Sequence, residues 1–188
     1  MLAVVTELTQ WGNFFVIVGT AAGALIGLQF VVMALSANLG RSGAPAGALR
    51  AYATPTIVHF SAVLLLAGLL SMPRHTTGSL TLTLIVIAIG GLGYVTWITL
   101  EAHRQDAYSP VRSDWAWHTI LPLVAYAAIL TAGVMASGST AASLYVVGTA
   151  VLLLLFIGIH NAWDGAVYML QSAGQTRTTS NDEGRPTS

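Results

Sequence analysis

The chain has no cysteine and no lysine, and only 7% of its residues carry a charge. Each shortage excludes something. Without thiols there is no disulfide, no thiolate metal ligand and no thiol nucleophile. Without lysine, all seven fixed positive charges are arginines. A soluble domain has about a quarter of its residues charged, so this chain lacks the means to cover a water-facing surface. A formal net charge of zero offers nothing to nucleic acid. Residues 1–10 contain no basic residue and so lack the n-region of a cleavable signal peptide. No P-loop, dinucleotide glycine fingerprint, nucleophile elbow or EF-hand loop occurs.

What is present is apolar sequence. Hydrophobic residues make up 55% of the chain, and the mean hydropathy is +0.73. Five apolar runs, at 13–39, 55–72, 80–100, 117–136 and 144–163, are long enough to span a bilayer, which needs roughly 20 helical residues. The fifth continues as an amphipathic end to Leu170. The runs are continuous and do not alternate, and helices satisfy their own backbone polar groups in lipid, so strands are a poor reading. The expectation is an all-α, polytopic membrane bundle of five transmembrane helices over residues 1–171, followed by a disordered polar tail at 172–188. The breaks fall at 40–53, 73–78, 101–116 and 137–142. Pro55 suits the first turn of the second helix.

Arginine sets the orientation. With five spans, Arg41, Arg50, Arg104, Arg112, Arg177 and Arg185 share one side, and only Arg74 lies on the other. The positive-inside rule places the C-terminus in the cytoplasm and the N-terminus outside.

Gly19, Gly23 and Gly27 repeat at steps of four in the first run, a glycine zipper of two overlapping GxxxG motifs. It serves packing within the chain or a homo-oligomer seam. Gly90, Gly91 and Gly93 flatten the third run. Gln29, inside the first, requires a polar partner.

The polar residues gather at one end. His59, His118 and His160 each lie about one turn inside a helix, one turn being about 5.4 Å of depth, so the three form a histidine cluster just under the cytoplasmic interface. His75 and His103 fall in loops and read as solvated. Asp114 and His118 are four residues apart, as are His160 and Asp164, which puts each pair on one helix face. Glu101 ends the third helix at this level. Asn161 adjoins His160, and Tyr168 extends the His160–Asp164 face. Pro122 removes the helical partner of the His118 carbonyl. Trp115, Trp117 and Trp163 ring the layer as an interfacial belt.

This constellation supports several chemistries. His59, His118, His160 and Asp164 form a metal-ligand set suited to zinc or non-haem iron. Asp114, Asp164, Glu101 and Asn161 are then catalytic or ligand-orienting groups. Alternatively, each Asp–His pair is an acid/base couple without metal, or the layer is a proton relay or gate in a transporter. The bland reading is that polar and aromatic residues collect at helix ends in any membrane protein, with Asp114 serving the helix dipole.

Segments 19–35 (GTAAGALIGLQFVVMAL), 53–60 (ATPTIVHF) and 157–164 (IGIHNAWD) resemble a family of small uncharacterised five-span bacterial integral membrane proteins. The resemblance covers most of residues 11–170, excludes the tail and implies the bacterial inner membrane, but no activity. More loosely, His59, His118, His160 and Asp164 are similar in kind and depth to the zinc-binding residues of alkaline-ceramidase-type membrane hydrolases, although those have seven spans and a paired HxxxH that this chain lacks. The functional expectation is an enzyme acting on a lipid or isoprenoid substrate from a pocket near the cytoplasmic leaflet, in its most specific form by metal-assisted hydrolysis. The alternative is a non-enzymatic oligomeric module: a small transporter, channel or regulatory partner. Apolar outer halves of the helices argue against a pore.

Overall fold

The structure is a computed structural model. It describes the backbone of residues 2–39, 46–104 and 115–183, and side chains within 4–35, 54–101 and 115–167. The described residues form six helices: α1 (Leu2–Gln10), α2 (Gly12–Leu39), α3 (Ala46–Leu70), α4 (Thr77–Arg104), α5 (Leu121–Met135) and α6 (Thr140–Glu183), with a π-helical turn at Ala116–Ile120 leading into α5. Four segments are long and apolar enough to cross a membrane: Gly12–Leu35, Thr77–Glu101, Ala116–Met135 and Thr140–Val167. A shorter apolar segment, Thr54–Leu70, lies within α3.

Glycine sets how closely the helices approach. Gly91 of α4 lies under the Tyr126 ring of α5, and Gly133 of α5 lies against Leu84 and Ile85 of α4. One helix rises in number as the other falls, so α4 and α5 are antiparallel. Gly19 of α2 abuts Ala67 of α3, Gly158 of α6 abuts Phe60 of α3, and Gly148 of α6 takes the edge of Trp11. A Cβ at Gly19, Gly91, Gly148 or Gly158 would come within 3.0 Å of the facing side chain, and at Gly133 to 3.0 Å, so the neighbour would have to shift. α6 is the central element, packing against α3 and α5 most extensively and also against α2 and α1. Leu144, Val147, Val151, Leu154 and Ile157 line its buried face.

Every long helix also carries an exposed apolar face. Ile17 is 66% exposed on α2, Leu65 52% on α3, Val86 58% on α4, Val134 66% on α5 and Phe156 67% on α6. A helix apolar on all sides is stable in lipid and not in water. The chain is a multi-pass integral membrane protein.

Helix ends differ from the sequence reading. α3 begins at Ala46, inside the stretch expected to be a loop, so Pro55 is interior to the helix and does not start it. Residues 46–53 (AGALRAYA) are mostly strong helix formers, and this outweighs the rung that Pro55 removes. α6 continues to Glu183 through most of the stretch expected as a tail, because extending an existing helix avoids the cost of nucleation. α1, where no element was expected, buries Val4 and Leu8. Residues 40–45, 105–114 and 184–188, with Arg41, Arg112, Asp114 and Arg185, lie outside the described residues.

Candidate functional site: a polar layer between α3, α5 and α6

The two turns at the α2 N-terminal end are closed by polar side chains. His75 is buried at 8% exposure, a correction to the solvated reading. Its Nε2–H donates to the Leu69 carbonyl at 2.8 Å, and its Nδ1 lies 3.2 Å from Ser79 Oγ. Thr76 and Ser79 cap α4 reciprocally, each side-chain oxygen accepting from the other's backbone N–H. Ser143 donates to the Ala132 carbonyl across the α5–α6 hairpin. These roles are architectural.

The opposite end holds the polar layer. Pro55, Thr56, His59 and Phe60 are buried on α3, which packs against α6. His59 is 1% exposed, and its Nδ1 lies 3.1 Å from the Tyr126 hydroxyl of α5. With the imidazole proton on Nε2, that hydroxyl donates. Tyr126 is held by the absence of a side chain at Gly91 behind its ring. His118, half-buried on the π-turn, lies within coulombic range of His59. The π-turn answers Pro122: the Leu121 N–H reaches back five residues to the Ala116 carbonyl. Such widened turns are frequent at functional sites. Thr99 of α4 meets Thr119 at 3.3 Å, tying α4 to this turn.

His160 occupies the outer part of the layer. Its Nε2–H donates to Asp164 Oδ2 at 3.1 Å, with the two side chains 31% and 46% exposed. The Trp117 indole stacks on the imidazole, centroids 3.8 Å apart and planes 24° from parallel. Trp117 therefore packs on a histidine instead of serving only the interfacial belt. Asn161, the next residue, is 1% exposed, and neither its Oδ1 nor its Nδ2 has a hydrogen-bond partner. Glu101 is exposed at the end of the α4 span. The side chains of His103, Asp114 and Tyr168 lie outside the described residues.

The histidines thus fall into an inner set, His59 with His118 and Tyr126, and an outer couple, His160 with Asp164. Among the described residues, no three His, Asp or Glu side chains are grouped as a metal ion requires, so the donor set expected for zinc or iron is not assembled from His59, His118, His160 and Asp164. Tyr126 was missed by sequence reasoning. Its signal was its place about two turns beyond His118, where a tyrosine in an apolar run passes for core.

No family model, curated protein or solved structure matches this chain. The family resemblance accordingly rests on the three quoted segments alone.

Proposed function

We propose that this chain is a five-span protein of the bacterial inner membrane, N-terminus outside, whose polar layer lies under the cytoplasmic leaflet and performs acid/base chemistry on the head of a lipid or isoprenoid substrate. The observation that carries the reading is the His160–Asp164 couple beneath Trp117. A carboxylate holding Nε2–H fixes the imidazole tautomer and leaves Nδ1 as the base, the arrangement that general-base sites use. The Nδ1 atom takes a proton from a headgroup hydroxyl or water, and Asp164 stabilises the imidazolium. The lipid-facing sides of α3 and α6 let an apolar tail approach sideways. Reconstitution in bacterial polar lipids, followed by mass spectrometry of those lipids, tests the reading. A time-dependent change lost in His160→Gln is expected, whereas identical lipid profiles with the native chain and the variant would refute it.

A second reading, a homo-oligomeric module, draws on α2. A Cβ added at Gly23 or Gly27 meets nothing within 4 Å, unlike Gly19, so two glycines of the zipper are open to a second copy. Native mass spectrometry showing a dimer that Gly23→Leu and Gly27→Leu abolish supports it, and a monomer for the native chain removes it.

A further inference from the structure

Asn161 has a buried carboxamide with no partner on either polar atom. Such a group costs several times what a typical hydrogen bond contributes, so a fold that keeps one in its centre keeps it for something that arrives. The register locates it. Gly158 abuts Phe60, and the antiparallel α3–α6 pair therefore sets Asn161, one turn further along, level with Thr56 and one turn from His59. Both of these α3 side chains are buried. On its other flank, His160 carries the Trp117 stack that draws the π-turn against α6. Three elements thus bring uncharged polar groups to the depth of Asn161.

We propose that Asn161 is the recognition residue for the head of a neutral amphiphile, a lipid alcohol or amide. This rests on the polar layer being a lipid-headgroup site and specifies its ligand. The argument is one of donors and acceptors. A carboxamide offers two N–H donors and one carbonyl acceptor. A deprotonated phosphate or carboxylate only accepts, so it would satisfy Nδ2 and leave Oδ1 buried and unpaired. A hydroxyl or an amide both gives and takes, and satisfies both atoms. Thr56, His59 and Tyr126 are likewise uncharged hydrogen-bonding groups, and the one carboxylate a turn from Asn161, Asp164, is paired with His160 and would repel an anionic head. The apolar surface around the layer accommodates the tail.

The experiment uses the full chain in dodecyldimethylamine oxide, a detergent with neither hydroxyl nor amide. Thermal unfolding is followed at pH 9, where a phosphate monoester keeps no proton to donate, with added 1-monooleoylglycerol and, separately, with dioleoylphosphatidic acid. The neutral lipid is expected to raise Tm and the anionic one to leave it unchanged. In Asn161→Leu the shift disappears, while the lipid-free Tm is unchanged or higher because an unpaired amide has gone. Native mass spectrometry of the unmutated chain with both lipids present is an independent readout should the variant fail to fold: a one-to-one adduct with the neutral lipid, about 10-fold in excess, is expected. Protection or adduct formation by phosphatidic acid alone would overturn the neutral-ligand assignment and leave the headgroup site standing. Equal protection of native chain and variant, or no binding of either lipid, would overturn both.

Discussion

His59 sits in the apolar interior with the Tyr126 hydroxyl as the partner of its Nδ1, and that bond ties α3 to α5. Removing one member strands the other, which costs about 1–3 kcal/mol. Tyr126→Phe and His59→Leu are each expected to lower stability by that order. The double variant is expected to fall short of the sum by about 1 kcal/mol, as contacting residues do; thermal unfolding in detergent measures all three. The glycines provide a sharper contrast. Gly91 lies beneath the Tyr126 ring, whereas a Cβ at Gly90 or Gly93 meets nothing within 4 Å. Gly91→Ala should destabilise by about 1–3 kcal/mol through overpacking, and should also displace the hydroxyl from His59. Gly90→Ala and Gly93→Ala should be neutral or slightly stabilising. Equal effects at all three positions would mean that the α4–α5 seam is drawn wrongly.

Among the elements, the α3–α4 turn and the π-turn illustrate two ways of resolving a broken helix. Arg74 adopts a left-handed backbone at φ 65°, a conformation that glycine takes without steric cost. Arg74→Gly is therefore expected to hold or raise stability by up to about 1 kcal/mol. His75→Ala should lower it by about 1–3 kcal/mol, because the Leu69 carbonyl loses its buried donor; amide exchange at the start of α4 would report the loosening. The apolar runs were legible in the sequence because a bilayer demands about 20 unbroken apolar residues, and no other element does. Their ends were not, since alanine-rich residues 46–53 and polar residues 172–183 extend helices begun by their neighbours. The His160–Asp164 couple was legible from i,i+4 spacing. The His59–Tyr126 bond was not, because it depends on which face of α5 meets α3. His75 escaped for the same reason: a histidine in a turn looks solvated until the turn folds back over the helix end it caps. Of the glycine steps, sequence could not tell Gly19, which abuts Ala67, from Gly23 and Gly27, which abut nothing.

For the whole molecule, two ends of unlike character follow from the packing. Trp11 meets Tyr145 at 5.0 Å between ring centroids, and Gly19 meets Ala67, so the start of α2, the α3–α4 turn and the start of α6 share one end. His59, His118, His160, Asn161 and Asp164 share the other. The functional account requires that second end to face the cytoplasm, where six of the seven arginines were assigned. The native absence of cysteine makes this directly measurable: single cysteines placed at Arg74, Gly138 and Asp164 each supply the only thiol for a membrane-impermeant maleimide. The account predicts that Arg74→Cys and Gly138→Cys label in intact spheroplasts, and that Asp164→Cys labels only in inverted vesicles. Labelling of Arg74→Cys and Asp164→Cys from the same side of the membrane would contradict it.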